Sequence, residues 1–185
     1  MEFANLAWTA ADWRHMGGAL NCCTKLRQLK LIGMGADDAA MAAFGGALGS
    51  GAAPMLEGLG LEGNKIGDEG VRHLGDALAR GAAPALKSLR LEGKNGDHNK
   101  IGDEGLRNLS DALARGAAPA LEMLWLAGNK FVDEGMRHLA DALSRGAAPA
   151  LKKLVLPGNP GASNAAKKVV QDARPGLDVN IIFRR

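Results

Sequence analysis

The sequence contains no tyrosine, and only 4% of its 185 residues are aromatic. Its packing must therefore rest on leucine and alanine, since 46% of the chain is hydrophobic. Cysteine is nearly absent too. Cys22 and Cys23 are the only two and stand side by side. Neighbouring cysteines rarely pair with each other, so neither a disulfide framework nor a metal site can be built from them. That usage fits a reduced, cytoplasmic protein. There is no polybasic run, and 23 basic residues stand against 20 acidic ones. The net charge of +3 gives no reason to expect nucleic acid or a membrane surface as partner. No apolar stretch is long enough to span a bilayer. Between Met1 and Leu20, Asp12 and Arg14 interrupt every candidate signal peptide. A phosphate-binding glycine loop and a nucleophile paired with a base are missing as well, so no cofactor and no enzymatic activity are expected.

What the chain does have is repetition. The stretch Asn64-Lys65-Ile66-Gly67-Asp68-Glu69-Gly70 returns as Asn99-Lys100-Ile101-Gly102-Asp103-Glu104-Gly105. It returns again, altered, as Asn129-Lys130-Phe131-Val132-Asp133-Glu134-Gly135. Leucine triplets of the form L-x-x-L-x-L precede each copy. Their first leucines are Leu26, Leu56, Leu86, Leu121 and Leu151, so the steps are 30, 30, 35 and 30 residues. The long step comes from Lys94-Asn95-Gly96-Asp97-His98, an insertion in one loop. A chain built by copying a unit of this size is a solenoid, in which each unit packs only on its neighbours.

The local logic of one unit is readable. The last two leucines of a triplet are two apart, so they point to the same side of a short strand. An asparagine then turns the chain, at Asn64, Asn99, Asn129 and Asn159, and these amides should form a ladder along the stack. A helix follows. Asp68 and Glu69 suit its positive end, and Val71, Leu74 and Leu78 make one apolar stripe. Gly81 and Pro84 end it. Asp68 with Arg72, and Asp76 with Arg80, stand four apart, acid first, as expected of ion pairs on an exposed face.

Both ends depart from the pattern. Thr9 can cap a helix starting at Ala10, but no strand is evident before it. Met1–Trp8 reads as an improvised cap, or the chain as a fragment of a longer array. After Ala162 comes a helical run, then Leu177 to Phe183 alternates like a last edge strand, with Arg184-Arg185 keeping that edge soluble. The expected organisation is one domain over 1–185, with a partial unit at 1–25, central repeats at 26–161 and a closing unit at 162–185.

With L-x-x-L-x-L-x-x-N, then I-G-D-E-G and a full helix, the chain resembles leucine-rich-repeat proteins of the ribonuclease-inhibitor type. The period is slightly longer than usual, the extra length falling in Gly-Ala-Ala-Pro-Ala, and the first unit lacks the Asn at Gly33–Asp37. The resemblance implies an α/β solenoid shaped as a horseshoe, with parallel strands on the concave face and helices on the convex face. It also implies a protein-binding scaffold. The alternatives are a regulator of a small GTPase or nuclease, and a structural subunit or fragment of a larger assembly. A monomer, or one part of a larger complex, is expected.

Whatever is specific to this protein must lie where the copies differ. Outward positions on successive strands read Lys30, Gly60, Arg90, Trp125 and Val155, with Gln28, Gly58, Ser88, Met123 and Lys153 before them and Ile32, Glu62, Glu92, Ala127 and Pro157 after them. Adjacent strands are about 4.8 Å apart, so Arg90 and Trp125 should touch. Tryptophan and arginine are the residues most often found as interface anchors. The candidate protein-binding residues are Lys30, Arg90, Glu92, Met123, Trp125 and Lys153. The histidine column His15, His73 and His138 is broken by Asn108 and reads as surface, not metal ligands. The repeated acidic pairs read as helix-end residues, since catalysis needs one distinctive site. The insertion has a superficial likeness to a calcium loop, but Asn108 stands where the twelfth-position glutamate belongs. Deleting Lys94–His98 restores the common period, so the melting temperature of that variant should stay close to the parent's. A large drop would mean the insertion carries part of the fold.

Overall fold

The computed structural model describes residues 1–4, 8–49, 51–93 and 99–180. The insertion Lys94–His98 and the terminal Arg184-Arg185 lie outside the described residues. Strands and helices alternate. They run β1 (Glu2–Ala4), α1 (Ala10–Leu20), β2 (Gln28–Ile32), α2 (Asp38–Ala47), β3 (Gly58–Gly60), α3 (Asp68–Ala79), β4 (Ser88–Arg90), α4 (Asp103–Ala114), β5 (Met123–Trp125), α5 (Asp133–Ser144), β6 (Lys153–Val155), α6 (Asn164–Ala173) and β7 (Asp178–Asn180). The described strands form one seven-stranded sheet in sequence order. Every pairing is parallel, from Leu29 opposite Leu59 to Leu154 opposite Val179. This is the α/β leucine-rich-repeat solenoid, with strands on one face and helices on the other.

The core lies between these two layers. Leu29, Leu59, Leu89, Leu124 and Leu154 line up across the strands, all buried, as do Leu31, Leu61, Leu91, Leu126 and Leu156. Val71, Leu74 and Leu78 meet them from α3, and the matching stripes of α4 and α5 do the same. Each such side chain contributes about 1.5–3 kcal/mol by leaving water.

The chain turns from strand to helix on the asparagine ladder. The Asn129 side-chain amide donates to the carbonyls of Leu91 (2.9 Å) and Leu126 (3.1 Å), while its oxygen accepts from the Ile101 amide (3.2 Å). Asn64 and Asn99 bridge neighbouring units in the same way. All are buried. Each one satisfies backbone groups that the turn would leave unpaired inside the protein.

The acidic residues at the helix starts do something the helix dipole alone does not explain. Asp38 accepts from the amides of Gly67 (2.7 Å) and Gly70 (2.9 Å), which belong to the next unit. Asp68 accepts from Gly102, and Asp103 from Val132 and Gly135. Thus each aspartate caps the helix that follows its own. The glycine of the Asp-Glu-Gly motif admits that carboxylate. A Cβ on Gly70 would stand 2.6 Å from Asp38 Oδ1, and one on Gly135 would stand 2.6 Å from Asp103 Oδ1.

The expected ion pairs are corrected accordingly. Asp68 is engaged by the next unit, not by Arg72, which binds Glu69 (2.8 Å) and Asp76 (3.3 Å) instead. Asp76 also takes Arg115 of the next unit (2.8 Å), while Arg80 donates to the Gly45 carbonyl (3.0 Å). The stretch Gly-Ala-Ala-Pro holds its second alanine in the left-handed region, at φ of 43° for Ala53 and 47° for Ala83. That conformation costs an L-residue roughly 1–2 kcal/mol. Hydrogen bonds to the previous unit hold it, from Ala53 to Leu20 and from Ala83 to Ala52.

The N-terminal reading is also corrected, because a strand does precede α1. Glu2–Ala4 pairs in parallel with Lys30–Ile32. Behind it the aromatic rings of Phe3, Trp8, Trp13 and Phe44 stack in series at 5.2, 5.4 and 5.9 Å between centroids. They pack against the core at this end of the sheet. Thr9 caps α1 as expected, with Asp12 completing the reciprocal box.

Asn129→Ala should lower stability by about 3 kcal/mol or more, since three buried backbone groups lose their partners. The midpoint of urea denaturation reads this, and a change below about 0.5 kcal/mol would show that the ladder is dispensable. A second test concerns pH. The Ser163 amide (2.7 Å) and hydroxyl (2.9 Å) hold the Asp133 carboxyl below the usual carboxylate range. A group with a depressed folded value stabilises above its unfolded value, near 4, and loses this as pH falls through the folded one. Asp133→Asn should therefore lower the melting temperature at pH 7 and flatten its decline below about pH 4. A decline of parental steepness would overturn the assignment.

Candidate functional site

The outward positions of the strands form three rows. In the middle row Lys30, Gly60, Arg90, Trp125 and Val155 stand in register. The row before it runs Gln28, Gly58, Ser88, Met123, Lys153 and Asp178. Strand pairing fixes these neighbours, so the side chains meet without any help from loops.

Arg90 and Trp125 do touch. The Arg90 guanidinium carbon lies 4.8 Å from the Trp125 ring centroid, and Lys153 Nζ lies 5.9 Å from the same ring. Each such contact contributes about 0.5–1 kcal/mol at an exposed site. Their combined effect is to brace the half-buried indole from both sides. Arg90 is fixed in turn, its Nε donating to Glu92 at 2.9 Å. Met123 is 36% exposed and lies opposite Lys153 and two residues before Trp125, which makes the apolar patch continuous. Five of the six candidate residues are therefore brought together. Lys30 is not. It lies across β3 from Arg90, and its ammonium binds Glu2 at 3.1 Å.

Sequence reasoning placed Glu62 on this face but not in the site. Glu62 is only 5% exposed. Its Oε1 lies 3.7 Å from Arg90 Nε, and its Oε2 is buried with no hydrogen-bond partner. The cause is next to it. Gly60 has no side chain, so the glutamate folds down into the space, where a Cβ at position 60 would meet Oε2 at 2.7 Å. The signal was present as a Gly58-x-Gly60-x-Glu62 row. The strand entrances add an alternating charge ladder: Glu57 binds Arg27 at 2.6 Å and lies 3.5 Å from Lys87, and Lys152 binds Glu122 at 3.1 Å. These pairs are partly solvated and contribute little each.

Elsewhere the structure offers less. Among the described residues no group of three or more His, Cys, Asp and Glu side chains is arranged to hold a metal ion. No described helix is long and apolar enough to cross a membrane. His15, His73 and His138 lie on the outer helices α1, α3 and α5.

Comparisons with known proteins agree with this architecture. A family model described as a leucine-rich repeat matches residues 52–75 and 97–110. No curated protein matches the chain in sequence. Among solved structures, the chain is similar to leiomodin-1 actin-binding site 2, with a TM-score of 0.57 at 22% identity, over 78% of this chain and 79% of that one. It is similar also to the tropomodulin C-terminal domain of Caenorhabditis elegans, with a TM-score of 0.55 at 13% identity, over 96% of this chain and 85% of that one. Likeness at these identities is likeness of fold. With the repeat units described above, it shows that the chain has the leucine-rich-repeat fold.

Proposed function

We propose that this protein is a non-enzymatic interaction scaffold of the ribonuclease-inhibitor type, which binds a protein partner on its concave strand face. The observation that carries this reading is the braced indole. Trp125 is held between Arg90 and Lys153, with Met123 exposed beside it. A rigid aromatic anchor already braced by its flanking cations loses little conformational freedom on binding. A fold that needs only its inward leucines has no structural use for an exposed Met123 next to it. In this reading Arg90, Glu92, Met123, Trp125 and Lys153 form the centre and Lys30 lies at its margin. The domain works as one body over 1–185, in the cytoplasm, where Cys22 and Cys23 stay reduced.

Affinity capture on parallel columns tests the reading. Trp125→Ala and Arg90→Glu should each weaken retention of the same partner about 30-fold or more, the size of a hot-spot loss near 2 kcal/mol. Partners retained equally by all three columns would refute it. Because leiomodin-1 actin-binding site 2 shares the fold, purified actin is the first defined partner to assay, by co-sedimentation.

A further inference from the structure

Resting on the strand-face reading, we propose that Glu62 is a receptor for a basic side chain of the partner, and that the bound segment carries a bulky apolar residue about three positions away, over Trp125. Four observations lead there. First, Glu62 is almost wholly buried, yet its Oε2 has no hydrogen-bond donor among the described residues. Leaving a buried carboxylate oxygen unpaired is unfavourable, so a donor supplied by a partner is bound strongly. Second, the local charge is unbalanced. Arg90 serves two carboxylates, Glu92 at 2.9 Å and Glu62 at 3.7 Å. The trio carries one net negative charge, and the flanking cations are engaged elsewhere, Lys30 by Glu2 and Lys153 near Asp178. A neutral donor would satisfy the oxygen but not the charge; an ammonium or guanidinium satisfies both.

Third, what covers the site is side chain and not backbone: the Gln28 amide lies over Gly58, and the Lys30 stem and Glu62 itself lie over Gly60. Lys30 is exposed on the surface and can swing aside, since its pair with Glu2 is solvated. Fourth, the spacing is set by the sheet. From β3, which leads to Glu62, to β5, which carries Trp125, there are two strand steps, or roughly 9.6 Å. A segment in the polyproline-II conformation has three residues per turn and rises about 3.1 Å per residue, so residues three apart stand on one face roughly 9.3 Å from each other and can make both contacts. The recognised pattern is a lysine or arginine, two intervening residues, and a tryptophan, phenylalanine, leucine or methionine.

The test is selection of a random peptide-display library on the immobilised full chain, followed by fluorescence anisotropy with the best synthetic peptide. Selected peptides should carry the basic residue at that spacing. Glu62→Gln, which keeps the side-chain shape, should weaken the best peptide tenfold or more. Replacing the peptide's basic residue by alanine should weaken it similarly on the parent protein and hardly further on Glu62→Gln. The alanine peptide on the parent protein needs no protein variant, so that arm holds even if the substitution perturbs folding. Peptides without a basic residue, binding changed less than twofold by Glu62→Gln, or no selected peptide at all would each overturn the inference. The two readings fail separately. Peptides lost on Trp125→Ala but indifferent to Glu62→Gln would remove only the Glu62 receptor. Peptides indifferent to Trp125→Ala and Arg90→Glu would remove the strand-face reading itself.

Discussion

A buried asparagine amide that donates to two carbonyls and accepts from one amide is the interaction on which this fold depends. At Asn64, Asn99 and Asn129 the two carbonyls come from different units, so one side chain both closes its own turn and fastens it to its predecessor. The leucines supply most of the stabilisation, but their attraction has no direction. The amides supply direction, because hydrogen bonds in a dry interior are worth making only in the right geometry. With the turns fixed, the strands lie parallel and in register, and every outward side chain acquires defined neighbours.

That register explains why a solenoid can carry a binding site without a pocket. The outward rows are set by strand pairing alone, so a change of residue in one unit alters one tile of a flat surface and leaves the scaffold intact. Arg90, Met123, Trp125 and Lys153 occupy such tiles, and their contacts follow from the spacing of strands. The absent side chains at Gly58 and Gly60 matter as much as those present. They let Glu62 sink into the face beside Glu92, its counterpart in the next unit, in a row that is otherwise apolar at Ile32, Ala127 and Pro157.

Much of this was legible in the sequence because it is periodic. The leucine columns, the asparagine turns, the helix stripes and the meeting of Arg90 with Trp125 all follow from counting residues. The parts that were not legible arise from contacts between units. Asp68 and Asp76 read as partners of basic residues on their own helix, because spacing within one helix is all that a local pattern reports. In space the partner of Asp68 and one of the two partners of Asp76 belong to the next unit, and backbone amides compete better for Asp68 than an exposed arginine does. The strand at Glu2–Ala4 escaped notice because it has no leucine signature. It forms because β2 offers an unpaired edge and because Phe3, Trp8 and Trp13 cover the core behind it. Glu62 escaped because its burial depends on a residue that has no side chain.

The aspartate caps give the stack a sense of direction. Asp38 serves α3, Asp68 serves α4, Asp103 serves α5 and Asp133 serves Ser163 at the head of α6. The starts of α3 to α6 are each served by the unit made before, whereas α1 and α2 are capped from within, by Thr9 and Asp37. A chain emerging from the ribosome therefore meets each of these aspartates already in place as α3 to α6 appear. Damage travels the same way, since the loss of one aspartate loosens the unit downstream and spares the unit that carried it.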